Sequence, residues 1–305
     1  MDKLGLVIVC LLLGVLFRAL KLFPANGAHA LNRFVINVSL PALTLFYVHG
    51  FRPATLGAVP LWMPIATAWI LFGMACLFFG LLARARGWPS RLTGALILTA
   101  GLGNTSFVGF ALLEALFGAE ALPLGILVDQ PGTFLALSTV GITVAVSSAG
   151  SSVRPLAILK RVFGFAPFLA LLVALATRPF EYPEALLFWL DRLGSTLVPL
   201  ALVAVGMELR LSAASLKKEA PYLCVGLGFK LVLAPLFIYA IYAGLFRVVG
   251  LPLKVAVLEA AMAPMITAGI VAAEYDLRPD LAALMIGVGI PISLVTVLLW
   301  NYALF

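Results

Sequence analysis

Ten runs of apolar residues follow one another from end to end of the chain, at about 4–22, 31–50, 59–82, 92–117, 121–147, 156–176, 185–207, 222–246, 253–273 and 281–304. Each is bounded by charge, by Gly or Pro, or by a polar cluster, and a helix needs roughly 20 apolar residues to cross the hydrocarbon of a bilayer. The pattern predicts an all-α polytopic membrane protein with ten transmembrane helices. Its longest connection, between spans 7 and 8, is about 14 residues long and carries Arg210, Lys217, Lys218 and Glu219. Whatever the protein does is therefore expected to happen inside the bundle.

Charge supports this count. Assigning connections alternately to the two sides puts Arg18, Lys21, Arg33, Arg84, Arg86, Arg91, Arg154, Lys160, Arg161, Arg210, Lys217, Lys218 and Arg278 on one side, thirteen in all. The other side receives six, Lys3, Arg52, Arg178, Arg192, Arg247 and Lys254, and Lys230 falls within the eighth span. Basic residues concentrate in cytoplasmic connections, so both termini are expected outside. The 305 residues are 63% hydrophobic and 11% charged, whereas an ordinary soluble domain is about a quarter charged. A soluble fold is excluded, and the formal charge of +7 is accounted for by topology, with no nucleic acid as partner. Cys10, Cys76 and Cys224 lie in apolar runs with neither a CxxC pair nor a His/Cys cluster, so no disulfide framework, metal or cofactor is expected. The first run lacks a small-residue cleavage motif and reads as a retained helix.

Possible helix interruptions recur at a nearly constant offset. Pro41 and Pro199 are 158 residues apart, Asn104 and Pro264 are 160 apart, and Pro131 and Pro291 are 160 apart. The chain reads as a duplication, 1–150 and 151–305, and an odd number of spans per half makes the two repeats inverted. Inverted repeats recur in secondary transporters, whose interrupted helices meet near the midplane. Span 4 carries GLGNTSFVG, Gly101 to Gly109, and span 9 carries EAAMAPMITAG, Glu259 to Gly269. A break in hydrocarbon exposes backbone groups that protein or a wet cavity must satisfy. The N-termini of the half-helices that follow such breaks favour anions, and Asn or Thr adds hydrogen bonds without a fixed charge. The alternative reading is that the glycines only permit close helix packing.

At these residues the chain resembles the auxin efflux carrier family, which includes plant and bacterial carriers. The first resemblance is GNTSFVGFALLEALFG, Gly103 to Gly118, and the second runs from Met262 to Val297 with the turn EYDLRP ahead of a Pro-bearing last helix. The resemblance implies crossing broken helices 4 and 9, and scaffold and transport domains each assembled from both repeats and working by an elevator motion. It also implies a homodimer, in a bacterial inner membrane. It places the anion at Gly103, Asn104, Thr105, Pro264, Met265 and Thr267. Bile acid:sodium symporters are similar in fold and use a helix 9 glutamate with a glutamine four residues on. Here Glu259 is followed by Ala263, which argues against sodium. Helix 4 also lacks the proline found in most members.

Ionisable groups inside spans are costly and usually functional. Glu259, Asp129 and Lys230 are the candidate coupling groups, with salt bridging to Lys230 or reach to the interface as the plainer roles; Glu114, near a helix end, reads as structural. The sequence points to a secondary carrier of a mono- or dicarboxylate, with protons or sodium as possible coupling ion and lipid as its surroundings. A sodium-coupled symporter of a larger amphipathic anion and a non-transporting ligand sensor are the alternatives. No HExxH or paired-aspartate arrangement points to an enzyme.

Overall fold

The computed structural model describes residues 2–24, 26–51, 60–151, 155–209 and 213–305. Among these, the segments long and apolar enough to cross a membrane are α2 (Gly27–Gly50), α3 (Trp62–Arg86), α5 (Ala119–Ser148), α7 (Glu184–Glu208), α8 (Ala214–Leu245) and α10 (Pro279–Leu304). The remaining apolar runs form shorter pieces: α1 (Asp2–Ala19), α4a (Ser90–Gly101), α4b (Thr105–Phe117), α6a (Pro155–Phe163), α6b (Ala166–Ala176), α9a (Leu251–Ala260) and α9b (Ile266–Glu274). Arg52, Arg154 and Arg210, used in the charge count, lie outside the described residues.

Span 6 was expected to be continuous, and the structure corrects that. It breaks at Gly164 and Phe165, the latter at φ −91° and ψ 106°. Pro167 explains the break, because a proline inside a continuing helix lacks the N–H for its ladder bond and clashes with the carbonyl four residues back. Prolines expected to interrupt other spans are absorbed differently. Pro291 sits inside the unbroken α10. Pro131 lies in a widened i→i+5 turn of α5, Asp129–Phe134, and its exposed carbonyl accepts a 3.0 Å bond from the Trp69 indole N–H. A neighbouring helix thus satisfies the group that the proline frees.

The chain divides into two compact units. The first comprises Met1–Ala58, Ser106–Ile126 and Leu159–Leu209; the second comprises Val59–Thr105, Leu127–Ile158 and Arg210–Phe305. In the first unit α1 and α7 meet backbone to backbone. A Cβ on Gly206 would lie 2.2 Å from the Leu11 carbonyl oxygen and one on Gly14 would lie 2.1 Å from that of Val203, so only glycine permits the approach. The Ser39 and Thr196 hydroxyls join α2 to α7 at 2.7 Å, and Asn32 Nδ2 donates to Glu208 Oε1 at 2.8 Å.

The second unit is built on a continuous apolar core contributed by α3, α4a, α5, α8, α9 and α10, with Phe79, Leu96, Leu98, Phe229, Tyr242 and Met285 almost wholly buried. Arg278 binds both oxygens of the buried Glu219 at 2.6 and 2.8 Å and lies over the Tyr222 ring. It ties the turn before α10 to α8.

Gly206→Ala is expected to lower the apparent melting temperature of the purified protein by several degrees, since overpacking costs about 1–3 kcal/mol. Gly73→Ala, in α3 with nothing near its Cβ position, gains helix propensity instead. It is expected to leave the melting temperature unchanged or slightly raised in the same thermal-unfolding assay.

Candidate functional site

Helix α4 stops at Gly101, and Leu102 is extended at φ −117° and ψ 131°. Helix α9 stops at Ala260, and Met265 is extended at φ −67° and ψ 126°. The two interruptions lie against each other within the second unit. Asn104 N–H donates to the Ala263 carbonyl at 2.7 Å, and Met265 N–H donates to the Leu102 carbonyl at 3.0 Å. Gly103 and Pro264 thereby face each other as a single antiparallel bridge, a fragment of β-structure inside a helical unit. Each break supplies the partners that the other lacks. Pro264 suits its place, since the bridge uses its neighbours' N–H groups and not its own. Its ring packs on α10, where a Cβ on Gly289 would come within 2.6 Å of Pro264 Cδ.

Gly103 is fixed by what surrounds it. A Cβ there would lie 3.0 Å from Lys230 Nζ and 3.3 Å from the Glu259 carbonyl oxygen. Lys230 is fully buried and donates to the Ala260 carbonyl at 3.1 Å, at the C-terminal end of α9a. Glu259 is 1% exposed, and neither carboxylate oxygen has a hydrogen-bond partner among the described residues. Asp129 is equally buried and accepts a 2.5 Å bond from the Thr105 hydroxyl. Glu259 lies within electrostatic reach of both Asp129 and Lys230. Thr67, Thr105, Thr133, Lys230 and Glu259 line a cavity of about 10 Å³, close to the space one water needs.

Three of these side chains share a backbone device. Thr105, Asp129 and Lys230 each stand on a widened turn, at Thr105–Gly109, Asp129–Phe134 and Phe229–Leu233. Such a turn displaces a side chain from the regular helical register and frees a carbonyl, and it occurs frequently at functional sites. For Lys230 the neighbouring Leu231 carbonyl is taken up by the Trp300 indole at 2.9 Å.

Of the residues singled out from sequence, Gly103, Asn104, Thr105, Pro264, Asp129, Lys230 and Glu259 are gathered at this bridge and its cavity. Met265 closes the bridge, and Thr267, half-buried, stands in the first turn of α9b. Sequence reasoning missed Thr67 and Thr133. Each is a lone hydroxyl inside an apolar span, and each returns a hydrogen bond to its own helix, so nothing local marks either as lining a cavity.

A helical membrane protein whose interrupted helices pair across a buried, charged cavity has the architecture of a solute transporter. The family model described as membrane transport protein matches the chain twice, over residues 1–157 and 156–301. The chain belongs to this membrane transport family, that of the auxin efflux carriers. It is 30% identical over 308 residues to an uncharacterized transporter of Methanothermobacter thermautotrophicus, covering 98% of this chain and 96% of that one. It is 26% identical to an uncharacterized transporter of Methanocaldococcus jannaschii, covering 100% of this chain and 98% of that one.

Removing the buried ammonium alone leaves two carboxylates in a low-dielectric site, a loss on the order of 3 kcal/mol. Lys230→Met is therefore expected to depress the apparent melting temperature strongly. The double variant Lys230→Met with Glu259→Gln is expected to recover much of it, as read by a thermal-unfolding cycle over the four proteins.

Proposed function

We propose that the protein is a secondary carrier of a small organic anion, a mono- or dicarboxylate, bound where the breaks of α4 and α9 pair. The observation that carries this reading is the mutual bridge of Gly103 and Pro264. Two half-helices, α4b and α9b, begin beside it, and their leading N–H groups and positive dipole ends favour negative charge. Asn104 and Thr105 add neutral polar groups, and Met265 and Thr267 form the other wall. The two successive matches of the family model support a duplicated chain. Alternating access follows as an elevator-like movement of one unit, in a protein of ten spans that sits in a cytoplasmic membrane with both termini outside and works as a homodimer.

The buried charges favour a proton as coupling ion. Asp129 and Glu259 against Lys230 leave one excess negative charge when all three are ionised, which burial penalises. A proton neutralises that excess without needing coordination space, in keeping with a cavity of about 10 Å³. Sodium fits less well. Ala263 offers no side-chain ligand, and the Ala260 carbonyl at the end of α9a already receives the Lys230 ammonium.

The test is a thermal-shift and uptake screen of the purified protein against named carboxylates, among them lactate, succinate and indole-3-acetate, with and without sodium, at acidic and neutral pH. A carboxylate is expected to stabilise the protein without sodium, because binding to the native state raises apparent stability. Where one proton binds with the anion, affinity is expected to rise toward acid by up to about tenfold per pH unit. Asn104→Ala is expected to abolish the response and Glu259→Gln to flatten its pH dependence. Undiminished binding by folded Asn104→Ala would remove the anion site from the bridge, and an unchanged pH profile in Glu259→Gln would remove that residue from coupling.

A further inference from the structure

Three threonine hydroxyls, of Thr67, Thr105 and Thr133, wall the cavity at the paired breaks together with Lys230 and Glu259. A hydroxyl has one proton to give and lone pairs to offer, so where each proton goes decides what the cavity can do. Thr67 donates to the Met63 carbonyl at 3.1 Å and Thr133 to the Val128 carbonyl at 3.2 Å, so both protons end on backbone. Tyr242 stands behind Thr67, bonded to it and donating to the same Met63 carbonyl at 2.8 Å. Thr105 differs, for its proton goes to a carboxylate, Asp129 Oδ1, at 2.5 Å, the short separation of a charge-assisted bond. Its lone pairs remain for the cavity, where Glu259, 1% exposed, has both carboxylate oxygens without a hydrogen-bond partner among the described residues. The ionisable groups within electrostatic reach of Glu259 are Asp129 on α5 and Lys230 on α8. Helix α3, packed on both α5 and α9a, brings to the cavity wall the hydroxyl of Thr67 and no charge.

We propose that Thr105 is a positioning residue that passes a proton between Glu259 and Asp129 through one water held in this cavity. Protonated Glu259 gives its proton to the water oxygen, the water gives one of its own to Thr105 Oγ1, and Thr105 gives its own to Asp129 Oδ1. Water and hydroxyl end as they began, and the neutral carboxyl has moved from Glu259 to Asp129. A cavity of about 10 Å³ suits a single water, and the Lys230 ammonium and the lone pairs of Thr67 and Thr133 are partners for it. The inference rests on the carrier reading and adds how the proton meets the anion. Ionised Asp129 sets a negative charge against Thr105, the first residue of the half-helix that receives the anion, and the relay removes that charge.

The experiment is infrared spectroscopy of the full-length protein in lipid vesicles, with the side-chain carboxyl carbon of Glu, and separately of Asp, isotopically labelled. At neutral pH, where exposed carboxylates are ionised, a protonated-carboxyl band is expected that shifts in part with either label. Glu259→Gln and Asp129→Asn are each expected to remove the whole band, because Lys230 balances the carboxylate that remains. Thr105→Val keeps the shape and loses the hydroxyl, and is expected to leave a band that answers to one label only. Thr105→Ser is expected to restore both responses, and Thr133→Val to keep both, with thermal unfolding confirming that each variant is folded. A wild-type band that answers to one label, a Thr105→Val band that still answers to both, or the same loss in Thr133→Val would overturn the relay and leave the carrier reading standing. Absence of any protonated-carboxyl band across the pH range of the folded protein would overturn the relay and the proton as coupling ion together. A silent carboxylate screen beside the expected spectra would instead remove the carrier reading alone.

Discussion

Hydrocarbon offers no hydrogen bonds, so every backbone group that leaves a helix at membrane depth must find a partner in the protein. The second unit meets that constraint with two breaks that satisfy each other. Asn104 and Met265 give their N–H groups to Ala263 and Leu102, and the Lys230 ammonium takes the carbonyl at the end of α9a. Much of the site follows from this arrangement. Gly103 must be glycine because the ammonium and a carbonyl stand where a side chain would go, and Pro264 is tolerated because the bridge asks nothing of its nitrogen.

Charge is placed under the same rule. The Lys230 ammonium and the Asp129 carboxylate enter the core on widened turns, each of which frees a carbonyl as it displaces its side chain. Indole N–H groups answer two of those carbonyls, Trp69 on Pro131 and Trp300 on Leu231. The tryptophans therefore support the site from neighbouring helices. Trp300, near the end of α10, closes the turn that presents Lys230. The first unit answers a different demand. There a single glycine pair, Gly14 and Gly206, lets α1 and α7 approach at backbone contact.

Sequence determined the apolar elements, because a run of about 20 apolar residues has few other uses. It also located the breaks, since Asn104 flanked by glycines and Pro264 within an apolar run are costly in a continuous span. It marked Asp129, Lys230 and Glu259 by the same logic of cost. The break in α6 is marked in the sequence only by Gly164 and Pro167, inside an otherwise unbroken apolar run.

What only tertiary structure decided is which of these groups meet. Leu102–Asn104 and Ala263–Met265 are some 160 residues apart, and a two-bond bridge between them leaves no local pattern in the chain. Thr67 and Thr133 look like ordinary helix hydroxyls until packing brings them to the same cavity as Glu259. Local sequence fixes the period, ends and cost of each helix, whereas which side chains share a cavity depends on packing between distant segments.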